Sequence, residues 1–371
     1  MEHESKNIMY EHSAAKVRLL KEYISAYLGI LANAEWIKEV FLYDLFSGPG
    51  IYMNGGEGSP IIFLNEIIKA HEYVAKPRNK QTKFQCLFND SDQQKVATLQ
   101  NHVSEKKLDI SNYGQIIYRT EDYKTIITEI INEINQFKNE RGFVFIDPYG
   151  YSEVSLIDID ALTISGKTEV LLFMPTHHMY RFKDNGTPVC LIKFMEDLEV
   201  SDKIKGADGL EFIEIVMNGF QAKLGSHVFV DSFVIRRELN QFYCLFFFTS
   251  NTLGYIKMLE AKWKIDKEDG RGWHGVQTNN LFSQSNEIAN TDKLQRLIIS
   301  YLQGGPKTSG ELFKYIIHNR FLPKHGTEVL KSLKERLDVI DESGNKAPNG
   351  AFYLAYSNFK ENPSKVTIML K

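Results

Sequence analysis

The residue pattern best suited to chemistry is FVFIDPYG (143–150), where four apolar residues deliver Asp147 to the end of a predicted strand. Pro148 fixes the backbone at that point and turns the preceding carbonyl outward. Tyr149 offers a flat face. A carboxylate with neighbouring carbonyls can accept both hydrogens of an exocyclic amine, which aims the nitrogen lone pair, while an aromatic face holds the ring. Asp147, Pro148 and Tyr149 are therefore the candidate catalytic set. The same letters also spell an ordinary strand-ending turn.

Three further segments have the chemistry of a cofactor site. In YDLFSGPGIY (43–52), Asp44 ends a predicted strand, Phe46 follows it, and Gly48 and Gly50 occupy the turn. A cofactor laid across the carboxyl ends of a parallel sheet needs a turn its backbone can share without a Cβ in the way. In CLFNDSD (86–92), Asp90 can accept hydrogen bonds from ribose hydroxyls; the competing role is a helix cap, which Asp92 fits better. In RTEDY (119–123), Glu121 or Asp122 can meet an adenine amine or belong to a solvated loop. The glycine turn lacks the third glycine of a dinucleotide fingerprint, and no G-K-[ST] marks a phosphate loop.

These segments fall at the ends of elements that would bring them together. Apolar periodicity predicts a helix or two over 13–38, then short apolar strands at EVFLYD, KFQCLFND, QIIYR (115–119), GFVFIDPYG with its proline–glycine stop, and TEVLLFMPT (168–176). Between them lie amphipathic helices, one opened by Ser59 as N-cap with Pro60 at the first helical position. Strands alternating with helices predict a parallel sheet covered on both faces. Residues 177–222 read as a helical insertion, and HVFVDSFVIRRELNQFYCLFFFTSN (227–251) reads as a hairpin. A parallel sheet closed by an antiparallel edge hairpin is the distinctive end of a class I methyltransferase sheet, of Rossmann-like α/β type. That fold expects S-adenosylmethionine as cofactor. DGRGWHGVQTNN reads as a glycine-rich loop, in which Trp273 and His274 are candidates for a lid.

Composition bounds the rest. The 371 residues are 43% hydrophobic and 25% charged, enough to build a sizeable core in two or three domains. No long apolar run suggests a membrane span, and the polar, acidic start does not read as a secretory signal. Three scattered cysteines read as reduced thiols, so a cytoplasmic protein is expected. Adjacent His177 and His178 cannot easily point at one metal, and no metal site is expected.

The net charge of −3 hides an asymmetry: from Thr291 onward 13 basic residues face 8 acidic ones, so this tail is +5 and the remainder −8. The tail pattern is three short amphipathic helices, then two β-rich ends around a Gly/Pro/Asn turn in DVIDESGNKAPNGAFYLAY. That is a winged-helix plan for 286–371, following a methyltransferase-like domain at 1–285. Lys324, His325, Lys331, Lys334 and Arg336 lie on or near its third helix and are the candidate nucleic-acid contacts, while Glu328 and Glu335 dilute that face. Arg236 and Arg237, in the hairpin, read as solvated or as phosphate contacts.

Taken in order, DLFSGPG, GEGSP, FNDSD and FVFIDPYG, preceded by the helix that contains Lys16, resemble the three-Cys-motif partner proteins (TcmP) over about residues 12–265. The resemblance implies a class I methyltransferase-like domain, often with a winged-helix tail. It also implies a partner protein with a three-cysteine motif like that of radical-SAM proteins. DPYG is similar to the D-P-F-G of tRNA guanine-N2 methyltransferases and, less closely, to the D-P-P-Y of adenine-N6 enzymes; Tyr149 stands where the latter have a second proline. The expectation is methyl transfer to a base amine of DNA or RNA. The alternative is a non-catalytic recognition partner of the cysteine-motif protein, in defence against mobile DNA.

Overall fold

The computed structural model describes residues 9–148, 154–183, 186–238, 241–274 and 289–371. Tyr149, the third member of the catalytic set, lies outside the described residues. The chain divides into two compact units: one runs through Met258 and resumes at Arg271, and the other combines Leu259–Gly270 with the C-terminal segment ending at Lys371.

In the first unit, α1 (Glu11–Asn33) precedes β1 (Glu39–Asp44), α2 (Ser59–Ala70), β2 (Lys83–Asn89), α3 (Gln93–Glu105), β3 (Gly114–Arg119), α4 (Tyr123–Ile134), β4 (Glu140–Ile146), α5 (Leu156–Thr163) and β5 (Thr168–Met174). Then come α6 (Thr176–Arg181), α7 (Val189–Asp197), α8 (Gly209–Leu224), β6 (Phe229–Glu238), β7 (Gln241–Thr249), α9 (Thr252–Ile265), whose residues from Leu259 on belong to the second unit, and β8 (Gly272–His274). The eight strands lie in the order β3-β2-β1-β4-β5-β7-β6-β8. β1 through β5 are parallel, and β7 runs antiparallel to both β5 and β6. This mostly parallel α/β sheet with one reversed strand is the Rossmann-like arrangement of methyltransferases that the sequence pattern called for.

Several local readings need correction. The 177–222 stretch is three helices, and α8 is part of the main core: its Phe212, Val216 and Phe220 pack in one cluster with Phe246 and Phe248 of β7. A capping box between Asp208 and Glu211 starts that helix. Residues 272–274, read as loop, pair in parallel with β6, so the hairpin is not the sheet edge. α2 begins one residue earlier than its Ser–Pro signal implied, with Gly58 as N-cap. His177 and His178 sit on α6 and not in a loop.

The second unit holds α10 (Asp292–Gln303), β9 (Lys307–Thr308), α11 (Ser309–His318), α12 (Pro323–Ser332), β10 (Leu337–Asp341), α13 (Tyr356–Glu361) and β11 (Val366–Leu370). Its three strands form an antiparallel sheet in the order β10-β11-β9. The strand pairing β10 is therefore Val366–Leu370, not AFYLAY. Phe352 and Leu354 do bury as alternation predicts, yet Tyr353 between them has φ 51°, a left-handed conformation that interrupts an extended strand.

α1 is held to the sheet by a buried polar contact. Tyr23 donates to Glu169 Oε2, and Thr249 donates to Glu169 Oε1 at 2.9 Å. Burial lifts the Glu169 carboxyl to about 7 even though both donors and Arg141 pull it down. Tyr23→Phe removes one donor from a buried acceptor. Denaturant unfolding at neutral pH is expected to record a loss of about 1–3 kcal/mol; an unchanged midpoint would contradict this role.

Candidate active site

Ligands of open α/β sheets collect where the strand order reverses, outside the carboxyl ends of the strands. Here the reversal lies between β1 and β4, which flank each other with Asp44 opposite Phe145. A cleft of about 570 Å³ opens at that point. It is lined by the β1–α2 loop (46–52), the start of α2, the start of α3, Phe145, Asp147 and Pro148 of β4 and its end, Tyr10 to Val17 at the start of α1, and side chains of β5, β6 and β7. The two motifs singled out in the sequence, around Gly48 and around Asp147, thus share one cavity.

The glycine loop is shaped by a network. Ser47 donates its amide to the Asn89 carbonyl at 2.8 Å, and Gly48 donates to Asp90 Oδ2 at 3.1 Å. Gly48 and Gly50 have φ of 58° and 78°, which disfavours any side chain at either position. At Gly50 a Cβ would also stand 2.4 Å from Leu99 Cδ1. His102 Nδ1 lies 2.7 Å from the Pro49 carbonyl, which ties the loop to α3. Asn89, which the sequence reading passed over, is the clamp between loops: its side chain donates to the carbonyls of Leu45 and Glu121 and accepts from the Glu121 amide.

That network reassigns part of the predicted cofactor set. Asp90 is buried, with Oδ1 accepting from the Asp92 amide and lying 3.5 Å from Lys95. Both oxygens thus accept from backbone amides, so Asp90 shapes the loop, and it is not among the residues lining the cleft. Asp92 caps α3, as expected, and also lines the cleft. Asp122 caps α4 through the amides of Lys124 and Thr125, and neither it nor Glu121 is among the residues lining the cleft. Phe46, Gly48, Gly50, Asp147 and Pro148 do line it, whereas Asp44, fully buried at the end of β1, is not among its lining residues.

The charges are unequal in their fates. Lys16 reaches from α1 to Asp147 Oδ2 in a buried ion pair and lies 4.6 Å from the centre of the Phe173 ring. Burial alone would lower the lysine pKa, but attraction to Asp147, with smaller help from Tyr52 and Asp44, raises it instead. Asp44 is fully buried at the end of β1, and its Oδ2 has no hydrogen-bond partner. Burial pushes its carboxyl up to about 7; the Ser59 hydroxyl, the Phe46 amide and Lys16 pull it down, while Asp147 pushes it further up. Ser47 Oγ and His12 Nδ1, in the cleft wall, are likewise buried without a partner.

The wall opposite the glycine loop is aromatic, and sequence reading missed it. Tyr10 stacks on His12 at 5.7 Å, His12 on Tyr243 at 5.4 Å, and Tyr243 on Phe173 at 5.6 Å, with interplanar angles of 10°, 11° and 21°. Arg237 lies 5.2 Å from the centre of Tyr10. Burial, with Arg237 and Lys16 nearby, lowers His12 to about 4, so its ring is neutral at physiological pH. The wall comes from four separate elements, and only chain folding assembles it.

In the second unit, Lys324, Lys331, Lys334 and Arg336 are exposed. His325 is not, which corrects its place among the nucleic-acid contacts. It accepts from the Leu322 amide at 3.3 Å, packs edge-on to Trp263 at 4.3 Å, and is held to about 4 by burial and then by Lys324.

No protein-family model matches the chain, and no curated protein matches it. Among solved structures it is similar to the SAH-bound methyltransferase PaMTH1 from Podospora anserina, at 8% identity over 60% of this chain and 76% of that one, with a TM-score of 0.27. It is also similar to the delta-N METTL16 MTase domain, at 10% identity over 62% and 83%, with a TM-score of 0.29. These likenesses are loose, and the fold is defined by the strand order of the sheet itself.

Asp44 yields a signed pH prediction. Its folded pKa of about 7 lies above the ordinary 3.8, so it contributes stability below 3.8 that is lost as pH rises through about 7. Asp44→Asn removes this penalty. Relative to wild type, the variant should gain on the order of a few kcal/mol between those limits, then level off, in denaturant unfolding across the pH range. A pH-independent difference would overturn the assignment.

Proposed function

We propose that the chain is an S-adenosylmethionine-dependent methyltransferase acting on a base amine of nucleic acid. The observation that carries the reading is the shared cleft: the glycine loop after β1 and Asp147 after β4 open onto one cavity at the topological switch of the sheet. The residues present fit the cofactor. Asp44 Oδ2 and Ser47 Oγ are buried acceptors without partners, and buried polar atoms of that kind call for one. In this reading Asp44 receives the ammonium of the amino-acid moiety, with Phe46, Ser47, Gly48 and Gly50 around it. When bound, the cofactor supplies an electrophilic methyl on a sulfonium.

On the acceptor side, Lys16 holds Asp147 Oδ2, so an exocyclic amine would meet Oδ1 and the carbonyls at the end of β4. Lys16 fixes the Asp147 carboxyl in direction. A neutral amine needs its lone pair aimed more than it needs a strong base. The second unit would dock the nucleic acid. Helices α10–α12 and the antiparallel β10-β11-β9 sheet support a winged helix, with Lys324, Lys331, Lys334 and Arg336 facing phosphates. Three free cysteines accord with a reducing, cytoplasmic setting, and among the described residues no helix is long and apolar enough to cross a membrane.

A second reading makes the chain a non-catalytic partner of a three-cysteine-motif protein, as the TcmP resemblance implies, in defence against mobile DNA. It is favoured by the internal use of Asp90 and Asp122 and by the ion pair already on Asp147.

Calorimetry of the full chain with S-adenosylmethionine separates the two. The first reading expects binding that strengthens as pH climbs toward 7, because Asp44 must ionise to accept the ammonium. Asp44→Asn should weaken it about 10–100-fold, the worth of a charged hydrogen bond. Asp147→Ala should bind the cofactor within a few-fold of wild type yet transfer no labelled methyl to mixed DNA and tRNA. A flat wild-type titration would sink the transferase reading and leave the scaffold.

A further inference from the structure

We propose that the cleft wall formed by Tyr10, His12, Tyr243 and Phe173 is a stacking platform for an unpaired base of single-stranded nucleic acid, with Arg237 holding the adjoining phosphate. This deepens the base-amine reading and rests on it only for what happens after the base is seated.

The first support is geometric. Near-parallel rings 5.4–5.7 Å apart between centroids are offset, so each leaves part of a face uncovered. All four side chains are only half-buried, and they belong to the cavity that also holds Asp147. Partly exposed aromatic faces inside a cleft, in contrast to a packed core, are the form in which proteins stack bases irrespective of sequence.

Charge is the second support. The described residues lining the cleft include three cations, Lys16, Lys95 and Arg237, against two carboxylates, Asp92 and Asp147. One of those carboxylates is already paired with Lys16, and the other caps α3. His12 is neutral, so it adds an aromatic face and a partnerless ring nitrogen without adding charge. A cationic guest such as a protein lysine would be repelled by Arg237, while the two lining carboxylates are engaged by Lys16 and by the α3 cap. A base bearing a phosphate meets a cation at the end of the ladder, where Arg237 overlies Tyr10 at 5.2 Å.

Enclosure is the third. A base inside a duplex cannot reach a wall within a cavity unless it is first unpaired, which costs least in single strands. The preference is therefore for single-stranded over duplex substrate.

The test is fluorescence anisotropy of the full chain, without cofactor, against a labelled mixed-sequence single strand, the matching blunt duplex, and a basic peptide. Wild type is expected to bind the single strand more tightly than the duplex. Tyr243→Ala should weaken this about tenfold or more, and Tyr243→Phe should retain it. Arg237→Ala should lower the slope of log affinity against log salt by about one. Melting curves establish that each variant is folded, and Tyr243→Phe and Arg237→Ala keep the test open if Tyr243→Ala fails to fold. Equal binding of strand and duplex would overturn the proposal, as would a folded Tyr243→Ala or Arg237→Ala indistinguishable from wild type, or tighter binding of the peptide. Because no cofactor is present, platform-dependent binding without methyl transfer would cost only the transferase reading. Cofactor binding with a silent platform would cost only this one.

Discussion

Asp44 and Asp147 close the carboxyl ends of adjacent parallel strands, and Lys16 pairs with one of them. Two carboxylates placed near each other away from water repel, and burial penalises each charge. Lys16 bonds the Asp147 carboxylate, while Asp44, raised to about 7 chiefly by burial, keeps a partnerless oxygen. The sheet creates this imbalance, because hydrogen-bond register fixes where β1 and β4 end. α1 then sets its sign, since only one lysine is delivered. The rest of the cleft is arranged around that uneven pair.

The supporting parts act to keep the strand ends rigid. Asn89 bridges the loops that follow β1 and β3, Asp90 holds the Gly48 amide, and Tyr23 with Glu169 anchors α1, which carries Lys16 and His12. None of these touches the open cavity strongly enough to be a ligand contact, yet each fixes something that does. A site built from a loop, a strand end and a helix start needs such bracing, because small misplacements of an amine relative to its electrophile are costly.

Much of this was legible in the chain. Short apolar runs leading to Asp44, Asp90 and Asp147 gave the strands, and the hairpin after residue 227 signalled the reversed β7. The two motifs facing the cavity were legible because glycine spacing and an Asp-Pro pair are local. The aromatic wall was not, since the Tyr10–His12 pair, Phe173 and Tyr243 lie far apart in the chain and meet only in three dimensions. Asp90 and Asp122 show an ambiguity that spacing does not resolve: a carboxylate after a strand is equally good at binding a ligand and at holding nearby backbone amides, as these two do. In the second unit, a left-handed Tyr353 defeated an alternation that burial otherwise respected.

The glycine loop and the end of β4 frame one cavity, and the proposed function has it take a cationic amino-acid moiety with the buried, partnerless Asp44 Oδ2 as acceptor. A crystal structure of the chain soaked with S-adenosylhomocysteine tests it most directly. The account predicts the ligand between Gly48 and Asp147, with its ammonium on Asp44 Oδ2 and its thioether toward Asp147. Ligand bound elsewhere, or a cavity unchanged at saturating concentration with Asp44 still unpartnered, would contradict it.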